Sequence, residues 1–208
     1  INAGASTTKS VEKALGILKI AEKQKLPFIH LVESAGANLM NYTVELWAHG
    51  GGMFHGLALL SAAGIPTITV LHGPSTAGGA YQPGMSDYVI GVKKNGMAAL
   101  AGAALVRAAT GEVSTDDELG GVEMHSTKSG LIEYVAEDDA HGISIARDIV
   151  GRLNWNQSFE KCQTKKKFKR ALFDASDIAG IVPTDYKKQY DVRELVSCLT
   201  DGSEFVDF

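Results

Sequence analysis

The chain has few cysteines, no long apolar run and little excess charge. Its 208 residues include two cysteines, Cys162 and Cys198. They lie too far apart for a disulfide framework or a zinc-ligand pattern, so a reducing compartment with two bystander thiols is the default. The most apolar run, residues 97–106, is short and rich in alanine and glycine, below what a bilayer span needs. No signal-peptide pattern is visible either. A formal net charge of -4 gives no electrostatic footprint for nucleic acid or an anionic membrane. His49, His55, His72, His125 and His141 have no ligand-grade spacing, so a metal is not expected. Ser75 sits beside a glycine turn but lacks a nucleophile elbow and an identifiable base; hydrogen bonding within the turn is its expected role. What remains is a soluble globular profile, 45% apolar and 21% charged, long enough for one domain with a small annex. The chain begins at Ile1 and stops at Phe208, and is expected to be a piece of a longer protein.

The densest pattern is ITVLHGPSTAGGAYQPGMSDYVIGV, residues 68–92. Residues 68–71 are β-branched and apolar, the profile of a strand buried on both faces. Gly73-Pro74 is expected to end it. Gly78 and Gly79 then open a small-residue turn that leads into a short helix and a second strand. Glycine removes the Cβ that would hold a ligand off the main chain. A helix start adds the positive end of its dipole. The natural use of such a turn is to hold developing negative charge with backbone donors.

The surroundings alternate in the same way. Val11, Ala14, Leu15, Leu18 and Ala21 predict an amphipathic helix over residues 8–25, stopped by Pro27. Residues 28–32 read as a strand, closed by a second small-residue turn, Glu33-Ser34-Ala35-Gly36-Ala37. Residues 38–49 show no clean period and are expected to be a loop with a helical part. After Gly50-Gly51-Gly52, a helix begins at Met53 and stops at Gly64. Two strand-turn-helix units in succession indicate an α/β fold, with ligands expected at the C-terminal ends of the strands.

Further on, residues 102–109 predict a short helix capped by Gly111. Thr115 and Glu118 have capping-box spacing. Residues 125–130 read as polar loop. Glu137, Asp138 and Asp139 enrich the first turn of a helix that carries Ile145, Ile149 and Leu153 on one face. Residues 154–170, with Lys165-Lys166-Lys167, read as a solvated linker. Val192, Leu195, Val196 and Leu199 form a last helical stripe, expected to end at Gly202.

Several motifs in order resemble one family. These are Ser75-Thr76-Ala77-Gly78-Gly79-Ala80-Tyr81, Pro83, Ser86-Asp87, Ala108-Ala109-Thr110-Gly111-Glu112, Leu119-Gly120-Gly121, His125, and Lys128-Ser129-Gly130. The turn at Glu33 to Ala37, Gly180-Ile181-Val182, Asp191-Val192-Arg193-Glu194 and Asp201-Gly202-Ser203 extend the likeness. Together they resemble the carboxyltransferase (beta) subunit of biotin-dependent acyl-CoA carboxylases, nearest to the methylcrotonyl- and geranyl-CoA type. The likeness runs along nearly the whole chain.

That resemblance implies a crotonase-like spiral of ββα units, here incomplete. Residues 1–157 would be the N-terminal half, truncated at its start. Residues 158–176 would be a linker, and residues 177–208 the beginning of the C-terminal half. It implies transfer of a carboxyl group from carboxybiotin, carried by a biotin carboxylase/biotin carrier partner, to an acyl-CoA through an enolate. Gly78 and Gly79 would form the oxyanion hole. Ser34, Ala35, Gly36, Ala37, Ala77, Ala101, Gly102 and Ala103 would line the CoA path. The family often has two glycines where this chain has Ala35-Gly36, which puts the first of those amides in question. A homo-oligomer, expected as a hexamer, would work in the cytoplasm, or in the mitochondrial matrix of a eukaryote. Two alternatives use the same scaffold. One is a biotin-dependent decarboxylase or transcarboxylase. The other is a crotonase-type hydratase or hydrolase, for which Glu33 and Glu112 are the acid/base candidates.

Overall fold

The computed structural model describes residues 4–38, 40, 43–155 and 168–207. It divides into two compact units, Ile1–Asn156 and Gln157–Phe208. The first is a parallel sheet with helical crossovers. Its elements are α1 (Thr8–Gln24), β1 (Phe28–Ser34), α2 (Val44–Ala62), β2 (Thr67–Thr76), α3 (Gly78–Gly84), β3 (Tyr88–Val92), β4 (Met97–Ala99), α4 (Ala103–Thr110), α5 (Asp116–Gly120), α6 (Val122–Met124), β5 (Tyr134–Ala136) and α7 (Asp139–Leu153). The strands run β1-β2-β3-β5, with β4 pairing to β2. Every strand pair is parallel. Parallel pairing needs crossovers, which is why strands and helices alternate in the sequence.

β2 is the central strand. Thr67 through Leu71 are almost fully buried. One face of the sheet carries Ile68, Val70, Ile90, Val92 and Ala136 against Ala146 and Ile149 of α7. The other face carries Val32, Leu71, Val89, Ala98, Val122 and Ile132. A third cluster joins α1 to α2 through Leu18, Ala21, Leu57, Leu60 and Ile65.

The strands run further than the sequence pattern indicated. β1 includes Glu33 and Ser34, which the pattern had assigned to a turn. β2 continues through Gly73-Pro74 to Thr76 instead of ending there. Two features permit this. First, β2 changes neighbour: residues 68–71 pair with β3, and Pro74, Ser75 and Thr76 pair with β4. Second, the register with β1 slips. Val32 faces Leu71 and Ser34 faces Ser75, so one residue of β1 spans three of β2. Gly73 fits this bulge because a Cβ there would fall 2.5 Å from Glu33 Cγ.

α2 also departs from expectation. It is one helix from Val44 to Ala62, N-capped by Thr43 and running straight through Gly50, Gly51 and Gly52. Each interior glycine costs about 1 kcal/mol against alanine, so packing must compensate. A Cβ on Gly56 would sit 3.0 Å from Leu18 Cδ1, and one on Gly52 3.4 Å from Leu15 Cδ2. Those two let α1 and α2 approach closely. Gly50 and Gly51 have nothing within 4 Å.

Other departures are local. Residues 125–129, expected as loop, form a π-helical turn closed by Gly130 in the left-handed conformation. There His125 Nε2 donates to Ala98 O at 2.7 Å, and Nδ1 bonds Ser129 Oγ at 2.7 Å. The capping box at Thr115 and Glu118 is present, as is the left-handed cap at Gly111. α7 starts at Asp139, capped by Asp138. In the second unit, the helix Val192–Leu199 ends before Thr200, and Gly202 lies in a separate 3-10 turn instead of ending it. Cys162, Lys165, Lys166 and Lys167, and residues 158–167 of the expected linker, lie outside the described residues.

Candidate functional site

The two small-residue turns meet in one cavity of about 430 Å³. Ser34, Ala35, Gly36 and Ala37 form one wall, at the C-terminal end of β1. Ala77, Gly78 and Gly79 form the facing wall, where β2 passes into α3. Both walls therefore stand at the carboxyl ends of neighbouring parallel strands, where open α/β sheets place ligands. α2 closes the third side with Trp47, Gly50, Gly51 and Phe54, at positions i, i+3, i+4 and i+7 of one helix face.

The approach of the walls depends on glycine at position 79. A Cβ on Gly79 would lie 2.7 Å from Ser34 Cβ and 3.1 Å from Ser34 O. Gly36 has φ 78°, and its amide donates to Ser34 Oγ at 3.1 Å. The Ala35 amide donates to Gly4 O at 3.1 Å, and Ser6 N donates to Gly36 O at 2.8 Å. The first turn is thus held shut by its own bonds. The amides of Ala35 and Gly36 already have acceptors, and the Ala35 N–H points at Gly4.

The second turn differs. Ala77 has φ 51° and ψ -123°, a sparsely populated conformation for alanine. Its amide is shared between Ala99 O at 3.1 Å and Leu100 O at 3.2 Å. Gly78 and Gly79 begin α3, and a helix leaves the amides of its first turn without intrahelical acceptors. Both residues line the cavity, so their amides are its candidate backbone donors. A Cβ on Gly78 would meet Phe54 Cζ at 3.4 Å, and the Phe54 ring lies 5.3 Å from that of Tyr81.

The cavity lining consists of small, apolar and amide residues. None of its side chains titrates in the physiological range. Glu33 points away from it, because strand alternation places Glu33 on the face opposite Ser34. Glu112 is exposed beyond the cap of α4. Ser75 is fully buried, but its Oγ has no hydrogen-bond partner, contrary to the expectation of a bond within the turn. Ala101, Gly102 and Ala103 do not line the cavity. Gly102 caps α4, and Ala103 N donates to Asp116 Oδ1 at 2.7 Å. Among the described residues no cluster of His, Cys, Asp and Glu could hold a metal, and no helix is long and apolar enough to cross a membrane.

Sequence reasoning missed Trp47, Met53, Phe54 and Gln82, which also line the cavity. Taking 38–49 as loop hid the helical face of α2. The spacing of Trp47, Gly50, Gly51 and Phe54 could have revealed it, had glycine been counted as a cavity-facing position.

The family model described as carboxyl transferase domain matches residues 1–208. A Mycobacterium tuberculosis protein, a probable biotin-dependent acyl-coenzyme A carboxylase beta2 subunit, is 46% identical over the whole chain, which covers 39% of that protein. The solved beta subunit of Pseudomonas aeruginosa geranyl-CoA carboxylase is 45% identical with a TM-score of 0.69. The match covers 99% of this chain and 38% of that one. The transcarboxylase 12S structure, described as a hexamer assembly, is 29% identical with a TM-score of 0.77, covering 98% and 39%. The chain therefore spans about two-fifths of the length of these relatives.

Proposed function

Because the chain belongs to the carboxyl transferase domain family, with its crotonase-like α/β fold, we propose that it forms the acyl-CoA side of a carboxyltransferase site in a biotin-dependent acyl-CoA carboxylase. The observation that carries this reading is a cavity lined by Gly78 and Gly79 at the start of α3, with no titrating side chain in its lining. Such a site can stabilise an enolate oxygen without supplying the base that makes it. Carboxybiotin, brought by a carrier partner, supplies both the carboxyl group and the basic ureido nitrogen.

This chain's residues do three things in that reading. Gly78 N and Gly79 N hold the thioester oxygen as charge develops on it. Phe54 and Trp47 cover the acyl group and keep water from it. Ala35 and Gly36, their amides already engaged, give the opposite wall its shape and accept no charge. The remaining wall, the biotin carrier and the hexameric assembly belong to the whole subunit and its complex.

The hydratase or hydrolase alternative requires a carboxylate at the thioester, and neither Glu33 nor Glu112 reaches the cavity. The test is carboxyl transfer by the whole subunit with its biotinylated carrier over a series of acyl-CoAs. Biotin-dependent product is expected, and it should persist in Glu33→Gln and Glu112→Gln. No carboxyl transfer to or from any acyl-CoA would sink the reading. Transfer between two acyl compounds without ATP would mark the transcarboxylase variant of the same site.

A further inference from the structure

Outside the cavity lining, between β1, β2 and α3, lies a chain of polar groups that the reaction does not use. His30 Nε2 lies 2.5 Å from Thr69 Oγ1 and 3.1 Å from Ser86 Oγ. Thr69 Oγ1 is 2.8 Å from Ser86 Oγ. Ser86 Oγ donates to Gln82 O at 2.9 Å. The proton count fixes the direction. Each hydroxyl has one hydrogen. Ser86 uses its hydrogen on Gln82 O, so it accepts from Thr69. Thr69 then has no hydrogen left, so it accepts from His30 Nε2–H. The bonds therefore run one way, from β1 through the fully buried Thr69 of β2 to the last turn of α3.

Gln82 joins this chain to the cavity. Its carbonyl ends the relay, and it also lines the cavity. α3 is only two turns long, so whatever fixes its last turn also fixes its first. That first turn is wedged against Ser34 without any spare space at Gly79. Packing at one end and hydrogen bonds at the other leave the helix one orientation.

We propose that His30 is a positioning residue for the donors Gly78 and Gly79, acting through Thr69, Ser86 and Gln82 to set the orientation of α3. The proposal rests on the oxyanion reading of those two amides. His30 fits the role because it is held neutral: burial lowers its pKa to about 4. Its ring also packs against Phe28, with centroids 5.0 Å apart.

The test compares His30→Leu, His30→Gln and the near-isosteric Thr69→Val in the whole subunit with its biotinylated carrier. Two quantities are read: the steady-state constants of carboxyl transfer and the amide exchange of residues 77–84. His30→Leu and Thr69→Val should lower kcat about tenfold or more per folded molecule, with KM for acyl-CoA little changed. Amide exchange across residues 77–84 should become about fivefold to tenfold faster, and that of β3 should be unchanged. His30→Gln restores an N–H near the same position and should recover most of both. If His30→Leu does not fold, Thr69→Val cuts the same relay with almost no change in volume. Unchanged exchange in residues 77–84 in a folded variant overturns the proposal, as does an equal loss in His30→Gln. Wild-type protein that transfers no carboxyl group would refute the proposed function instead, and the exchange result would still decide the role of His30.

Discussion

Gly79 and Ser34 stand so close that a single methyl group on the glycine would overlap the serine, 2.7 Å from its Cβ and 2.9 Å from its Oγ. Gly78, one residue earlier, has only Phe54 Cζ within 4 Å of the same imagined atom. The two glycines therefore exist for different reasons, and substitution separates them. Gly79→Ala forces α3 away from β1. It should cost about 1–3 kcal/mol of stability and about 100-fold in kcat. Gly78→Ala should fold within about 1 kcal/mol of wild type and, in the proposed oxyanion reading, lose activity because the methyl crowds the cavity beside Phe54. Thermal unfolding alongside carboxyl transfer distinguishes them. Full activity in Gly78→Ala would remove it from the donor pair.

The glycines of α2 divide in the same way. Gly51→Ala meets nothing and should stabilise the helix by up to about 1 kcal/mol. Gly56→Ala presses on Leu18 Cδ1 at 3.0 Å and should lose that gain. Filling the space is a separate matter. Gly50→Phe puts a ring into the cavity wall, so kcat/KM should fall more for long or branched acyl-CoAs than for short ones. A uniform fall across the series would show that the acyl chain lies elsewhere.

Asp87 ties the start of β3 to β2. Its Oδ2 accepts from Thr67 N at 2.7 Å and Thr67 Oγ1 at 2.9 Å, and its own amide donates back to Thr67 Oγ1 at 3.1 Å. Thr67 is fully buried, so removing the carboxylate leaves two donors without an acceptor. Asp87→Ala should destabilise by about 2–3 kcal/mol, and Asp87→Asn by less, as measured by denaturant unfolding. Equal stability of the two would mean water replaces the carboxylate.

The pH dependence follows from His30. Its folded pKa, lowered to about 4 by burial, lies below the ordinary histidine value of 6.5. Between those values the unfolded chain binds a proton that the folded chain refuses, so stability falls as pH drops through that window and levels off below it. The loss attributable to this group should be about 2 kcal/mol between pH 6.5 and 4.5. It should be absent in His30→Gln. An identical pH slope in that variant would assign the acid sensitivity to other groups.

Much of the site could be read from the sequence because it is made of backbone. A cavity built from turns announces itself as clusters of small residues, and both Ser34 to Ala37 and Ala77 to Gly79 stood out. What could not be read was set by tertiary packing. Nothing local shows that Gly52 is an interior helix position, or why Gly56 is a glycine; the reason is Leu15 and Leu18 on another helix. Gly73-Pro74 looks like a strand end, and only the slipped pairing with Glu33 turns it into a bulge. β5 is three residues long, too short for a period to appear. Ala101, Gly102 and Ala103 are small residues in a row as well, but they lead into a helix start and stand outside this cavity.

Ala77 has a consequence for the order in which the molecule assembles. An L-residue at φ 51° and ψ -123° gains nothing from its own neighbours. It is held there by carbonyls that arrive with Ala99 and Leu100, some twenty residues later in the chain. The nascent strand-turn-helix can thus form its secondary structure early, but the turn at Ala77-Gly78-Gly79 acquires its shape only when β4 docks on β2. In native-state exchange the Ala77 amide should open with residues 97–99, not with residues 68–71. The receptive geometry would then be the last thing folding completes and the first that local unfolding takes away.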